Sequence, residues 1–301
     1  MRQARIKLDK ESSWYHCYNR IAGTRHDLPF GDVEKEQFIR ILKRVSTLYR
    51  VQVVSYQVLS NHFHLLVHAP AEEPDAEEMC RRYQAFHRGK RTLEPGSPIC
   101  RAWQARSRDI SWFMRHLQQL FTVWYNRSRP ERRRGSLWAD RFKHTLLESG
   151  VAVWGCWTYI ENNAVRARIV GEAGEYRFGS HGVWVQSGRH PFAGNVKALA
   201  LPMLGDLFGL NTLLQIRDAM ENALSGKPGS ARPDTSMATH VQRRVRYWTQ
   251  GLVIGSRLFV PAVMRRYKPA HIVSRHRSTR WDCADGCHLY SWRRPRPAGT
   301  G

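Results

Sequence analysis

The chain has 301 residues, a net charge of +23 and 42% hydrophobic residues, with 11 each of Trp, Tyr and Phe. That apolar and aromatic content excludes a disordered chain, because so much buriable surface can offset the entropy of ordering. The length allows one large domain or two smaller ones, and the basic excess points to a polyanionic partner, since neutralised phosphates release counterions.

In chain order, "SWYHCYNRI" (13–21) reads as a first strand and "AGTRHDLPFGD" as a loop. After Asp32, Phe38, Ile41, Leu42, Val45 and Leu48 recur at spacings of three and four, which predicts a helix. Residues 51–59 and 62–69 form two strands around a tight Ser-Asn turn, an antiparallel hairpin. Residues 71–108 read as an insertion with one short helix around "DAEEMCRRYQAFHR". A helix over 109–128, capped by Asp109, follows, then the basic turn "RPERRRG" and a strand at about 137–147. This β-α-β-β-α-β order predicts a ferredoxin-like, split βαβ α+β sandwich with an antiparallel sheet over 1–185, and "GVAVWGCWTYIENNAVRA" adds a further helix.

Residues 186–240 read as a connector with a helix at "NTLLQIRDAMENAL" and a flexible linker at "SGKPGSARPDTS". From Val241 onward Asp282 and Asp285 face a run of arginines and lysines from Arg243 to Arg296, interleaved with Tyr247, Trp248, Tyr267, Trp281, Tyr290 and Trp292. Aromatics among cations suit exposed bases, so 241–301 is expected to be a basic, partly helical DNA-binding extension.

The chemistry-bearing pattern lies in "LSNHFHLLVHAP" (59–70). His62 and His64, two apart on a strand, share a face at about 6.6 Å, a gap that side chains can close around one divalent cation. Taken alone the pattern reads as structural, as half-buried histidines often hydrogen-bond within a sheet. Tyr159 and Asn163 lie one helical turn apart and can aim a phenol and a carboxamide at one point; their structural reading is a core tyrosine and a helix C-cap.

Together, "LSNHFHLLVHAP", "GSLWADRFKHTLLES", "WTYIENNAVRARIV" and "YRFGSHGVW" resemble the REP-associated tyrosine transposases of the single-tyrosine HUH endonuclease superfamily, in order and spacing, over about residues 13–185. The resemblance implies the HUH fold, a metal held by His62, His64 and Asn163, and Tyr159 as nucleophile. It also implies single-stranded or hairpin DNA of the REP type as substrate, cut through a 5′-phosphotyrosine intermediate. Asn163-Ala164-Val165 stands where the family has Asn-Pro-Val. Mg²⁺ or Mn²⁺ suits phosphate oxygens beside an imidazole and amide site, and the absence of a Walker-type glycine loop fits chemistry without a nucleotide cofactor. Arg20, Arg25, Arg132, Arg133, Arg134 and Arg141 are the expected DNA-backbone contacts.

Other readings of the same residues are a catalytically silent repeat-DNA-binding protein, a rolling-circle initiator or relaxase, and a hydrolytic metalloenzyme using water. Cys17, Cys80, Cys100, Cys156, Cys283 and Cys287 are scattered, which fits a reducing compartment, and only Cys283 and Cys287 are spaced to pair or to share a metal. "MRQARIKLDKESS" lacks the apolar stretch of a signal peptide, and no run approaches a membrane span. The expectation is a cytoplasmic protein, monomeric or homodimeric, with no membrane partner.

Overall fold

The structure is a computed structural model that describes residues 5–8, 11–24, 26–131, 134–225, 245–267, 279–282 and 288–293. Strand β1 (Ser13–Arg20) pairs antiparallel with β3 (His62–Ala69) on one side and with β4 (Lys143–Leu147) on the other. Strand β2 (Gln52–Val58) pairs antiparallel with β3. Helices α1 (Asp32–Leu48) and α4 (Ile110–Arg127) make the crossovers, so the order β2-β3-β1-β4 is that of a split βαβ sheet, as expected.

Strand alternation divides the core in two. Tyr15, Cys17, Phe63, Leu65 and Val67 pack against Phe38, Leu42, Phe113 and Phe121 of α1 and α4. Trp14, Val54 and Leu66, from the other face, pack against Val153, Cys156, Trp157 and Ile160 of α5 (Val151–Glu161). Nearly every residue of α5 is buried, because the helix is apolar all round and covered on both sides.

Four sequence expectations are corrected here. Strand β4 is confined to Lys143–Leu147 rather than 137–147: Trp138 still bridges Ile21 antiparallel, and the chain bends over 139–141 between that bridge and the strand. The 71–108 segment carries two helices, α2 (Ala76–Phe86) and α3 (Pro98–Ser107), capped by Asp75 and Ser97. Its Met79, Phe86 and Cys100 belong to the α1 and α4 core, so it is a built part of the domain. The helix expected to run through "ENNAVRA" breaks at Asn162, the C-cap of α5, and resumes as the short α6 (Asn163–Arg166).

The expected connector is also helical, with α7 (Ser180–Ser187), α8 (Ala193–Asn195), a π-helical turn (Val196–Ala200), α9 (Leu201–Phe208) and α10 (Leu213–Ser225). Gly182 disguises α7 in the sequence, yet the packing demands it. A Cβ there would lie 2.1 Å from the Tyr176 carbonyl oxygen.

The C-terminal part joins the sheet instead of standing apart from it. After α11 (Val245–Gln250), β5 (Gly251–Gly255) pairs parallel to β4. Helix α12 (Phe259–Tyr267) follows, and β6 (Thr279–Asp282) and β7 (His288–Arg293) extend the sheet to seven strands among the described residues. Its register is set by apolar Val253 and Ile254 against Leu146 and Leu147. Cys283, Cys287 and residues 226–244 lie outside the described residues. Among the described residues no single helix is long and apolar enough to cross a membrane.

Gly182→Ala is expected to lower stability by about 2–3 kcal/mol through overpacking against a backbone carbonyl that cannot rotate away. A urea transition whose midpoint falls at unchanged slope is the measurement; an unchanged midpoint contradicts the contact.

Candidate active site

The polar face of β3 lies on the α5 side of the sheet. Strand β1 answers it with Trp14, His16, Tyr18 and Arg20, Tyr18 opposite His64 and Arg20 opposite His62. The His62 and His64 rings are 5.2 Å apart between centroids, and His64 also meets His16 at 5.1 Å and Tyr18 at 5.8 Å. From α5, Tyr159 presents its ring edge-on to His64 at 5.7 Å and to His16 at 5.8 Å. The fold therefore brings His62, His64 and Tyr159 together from segments nearly a hundred residues apart.

Hydrogen bonds fix the tautomers. His16 Nδ1 lies 3.1 Å from the Trp248 carbonyl oxygen, which can only accept, so Nδ1 carries the proton. His16 is buried and burial lowers its pKa to about 4, so the ring is neutral and its Nε2 is bare. That nitrogen is 2.8 Å from His64 Nδ1, which must donate to it, leaving the lone pair of His64 on Nε2. His62 Nδ1 lies 2.7 Å from Asn61 Oδ1 and donates in the same way, so its lone pair is also on Nε2. Both histidines thereby keep a lone pair on Nε2, with His16 and Asn61 fixing the ring tautomers from the other side.

Burial, with the charge of Arg20 as a lesser cause, holds the His62 pKa at about 4. Burial, then His16, His62 and Arg166, holds His64 well below its usual value. Both are neutral near pH 7 and need release no proton to bind a cation. Burial pushes the Tyr159 phenol up to about 12, opposed by the charge and a hydrogen bond of Arg166, whose guanidinium carbon is 5.2 Å from the ring centroid. Buried nitrogens of both flanking arginines, Arg20 Nε and Arg166 Nη1, have no hydrogen-bond partner. Two under-used guanidinium donors beside a histidine pair suit a phosphate group.

Asn163 sits one turn from Tyr159 as the spacing predicts, but its amide nitrogen is turned back onto the helix end. It donates to the carbonyls of Tyr159 at 3.0 Å and Ile160 at 3.3 Å, which leaves only the amide oxygen to serve a cation. Among the described residues no group of three or more His, Cys, Asp or Glu side chains is placed to hold a metal ion. The expected ligands thus offer two imidazole Nε2 lone pairs and one amide oxygen, donors of the kind a divalent cation accepts. Arg25, Arg132 and Arg133 lie outside the described residues, Arg134 is exposed, and Arg141 faces a cavity on the α4 side. His68 bonds Gln52 Oε1 at 3.1 Å and packs on Trp14.

Tyr159 is 1% exposed, its ring stacked on Trp248 of α11 at 5.7 Å. Sequence reading missed His16, Arg166 and the Trp248 carbonyl. The alternation Trp14-His16-Tyr18-Arg20, polar and aromatic on one face, was the available signal for the first.

A second missed group holds the helix that carries Tyr159. Glu161 is buried and accepts from Ser55 Oγ at 2.8 Å, Trp157 Nε1 at 3.3 Å, the His181 backbone N–H at 3.2 Å and Ser180 Oγ, while its own carbonyl accepts from Gln57 at 3.0 Å. One carboxyl thus clamps α5 to β2 and α7. Burial raises its pKa to about 7 against those hydrogen bonds.

No family model matches the chain, and no curated protein does. Among solved structures, a REP-associated tyrosine transposase bound to a REP hairpin is similar at 15% identity and a TM-score of 0.42, covering 64% of this chain and 90% of that one. The functional reading rests on the side chains described above.

Stability should depend on pH with two opposed signs. His16, His62, His68, His116 and His181 have pKa values lowered by burial to about 4, so between pH 6.5 and 4 the unfolded chain binds protons that the folded one refuses, and stability is lost on acidification. Glu161 has a raised pKa, so its contribution is full below about 4.5 and is lost as pH rises through 7. Glu161→Gln removes only the second effect. Its fall in Tm from pH 7 to 5 is expected to be steeper than that of the wild type, and a shallower fall would contradict the burial of the carboxyl.

Proposed function

We propose that the protein is a metal-dependent single-stranded DNA endonuclease and strand transferase that acts on REP-type hairpin DNA through Tyr159. The observation that carries the reading is the meeting of Tyr159 with His62 and His64 in one buried polar cluster, flanked by Arg20 and Arg166. REP-type hairpins follow from the sequence resemblance, and the charge of +23 suits any nucleic acid.

The phenol oxygen attacks the scissile phosphorus, the bond to the 3′ oxygen breaks and that oxygen takes up a proton, leaving a 5′-phosphotyrosine and a free 3′-hydroxyl. A bound Mn²⁺ or Mg²⁺ would polarise the phosphate. His62 and His64 would hold the cation as neutral imidazoles, and Arg166 favours the phenolate against the cost of burial. Arg20 and Arg166 bind the non-bridging oxygens. Attack requires the phenol to become reachable, so the Trp248 ring must leave the face of Tyr159. With imidazoles and an amide but no carboxylate, the donor set favours Mn²⁺ over Mg²⁺, which prefers all-oxygen shells.

A second reading, a silent repeat-DNA-binding protein, is favoured by the enclosure of Tyr159 and by the tie of the Asn163 amide to the helix end.

Labelled hairpin-bearing single-stranded DNA with Mn²⁺ is expected to give a covalent adduct that Tyr159→Phe abolishes. Binding without adduct supports the silent reading, and cleavage without adduct supports hydrolysis. His16→Leu should weaken Mn²⁺ binding, read by calorimetry, about 10- to 100-fold. His16→Gln, whose amide can accept from His64 and donate to Trp248, should recover most of it; equal loss in both contradicts the tautomer role.

A further inference from the structure

We infer that Cys80 and Cys100 are a redox pair that closes reversibly into an intramolecular disulfide, a modification site set apart from the histidines and Tyr159. Their sulfur atoms lie 3.9 Å apart, although the residues are 20 apart in the chain. Spacing gives no hint of the pair, because it forms only when α2 and α3 fold back on each other. All four described cysteines are free.

The approach of the two thiols is held from both sides. Asp75 caps α2 by accepting from the Glu78 N–H at 2.6 Å, and Ser97 caps α3 by accepting from the N–H of Cys100 itself at 3.1 Å. Arg82 ties α2 to the end of α1 by donating to the Tyr49 carbonyl at 3.0 Å, and Gln104 ties α3 to the Pro74 carbonyl, just ahead of α2, at 2.9 Å. A disulfide is about 2 Å long, so the sulfurs must close by roughly another 2 Å, a displacement that rotation of two side chains about χ1 covers. Packing explains a buried Cys100, but it does not call for a second thiol on the exposed side of the first.

Access to the two sulfurs is unequal. Cys80 is half-buried at the edge of the core on the α4 side of the sheet, whereas Cys100 is fully buried within it. A small-molecule disulfide therefore meets Cys80 first. The Cys80 thiolate attacks one of its sulfurs, that S–S bond breaks, and the departing thiolate takes up the proton that Cys80 gave away. The Cys100 sulfur then attacks Cys80 and displaces the second small thiol, which leaves with the Cys100 proton. Two protein thiols are oxidised and one small disulfide is reduced to two thiols. An excess of small thiol runs the same steps backwards, so the pair follows the thiol–disulfide ratio of its surroundings. Burial, then Cys100 and Glu77, holds the Cys80 thiol above its usual range, which makes the exchange slow at neutral pH.

The test treats the folded full chain with oxidised glutathione at about pH 8.5, where more thiolate forms, followed by alkylation and peptide mapping. Cys283→Ser and Cys287→Ser are introduced together so that those thiols do not compete. The expected product is a cross-link between the peptides of Cys80 and Cys100, lighter by two hydrogen atoms than the reduced pair, with Cys17 and Cys156 left as thiols. Oxidation should raise Tm by about 5 °C, because the bond constrains a loop of the unfolded chain, and dithiothreitol should reverse both the mass and the Tm. Cys80→Ser should abolish the cross-link and the rise in Tm. No readout involves DNA, so the result stands whether or not Tyr159 forms an adduct. Glutathione retained on Cys80 beside a free Cys100, a cross-link that forms only in urea, a cross-link that lowers Tm, or no reaction at either cysteine overturns the pair.

Discussion

The hydrogen bond between His16 and the carbonyl of Trp248 decides the chemistry of everything around it. A carbonyl oxygen can only accept, and this one-way property passes through His16 to His64 and sets where the lone pair of a ring two strands from α11 will point. Such a chain works only if the rings stay neutral, and burial guarantees that by penalising the imidazolium. The arrangement ties residue 248 to residue 64, so the C-terminal segment belongs to the site and cannot be read as a detachable basic arm. Strand pairing supports the same conclusion, since β5 grips β4 beside it and Thr145 Oγ1 bonds the carbonyls of Trp248 and Gly251 at 3.2 and 2.8 Å.

A polar cluster inside an otherwise apolar layer needs a rigid frame. Two-residue alternation supplies half of it, by committing Phe63, Leu65 and Val67 to one core so that His62 and His64 have no choice of face. Glu161 supplies the other half. Helix α5 is apolar on every side and could slide along its axis with little change in buried area, but a carboxyl that accepts from β2, α7 and its own helix admits one register. The cost is a carboxyl buried with a pKa near 7. Tyr159 lies two residues away, so whatever fixes Glu161 fixes the position of Tyr159 against the histidines.

Period and spacing made the first half of the fold legible. Strands β1 to β3 and helices α1 and α4 announce themselves because one face of each is apolar and the other is not. Helix α7 was hidden by a glycine that packing requires, and β4 was overextended because the run from 137 pairs with β1 only at the Trp138 bridge before bending over 139–141. Strand β5 was unreadable, since "GLVIG" becomes a strand only when β4 offers it an edge. At the site, the His-x-His pair and Tyr159 could be named from motifs. His16 could not, because its partnership with His64 is a diagonal contact across an antiparallel register, and register is a property of two strands together.

The two faces of the sheet differ in what they hold. The α5 face carries neutral imidazoles and partly unsatisfied guanidinium groups inside an otherwise apolar layer. The α4 face carries aromatic rings covered by arginines, Arg106 and Arg115 on Trp112 and Arg5 on Phe142. The strand end where Arg20 meets Ala139 joins the two through a backbone hydrogen bond that neither side-chain set can vary, so the position of Arg20 beside His62 is tied to the short segment from Leu137 to Phe142.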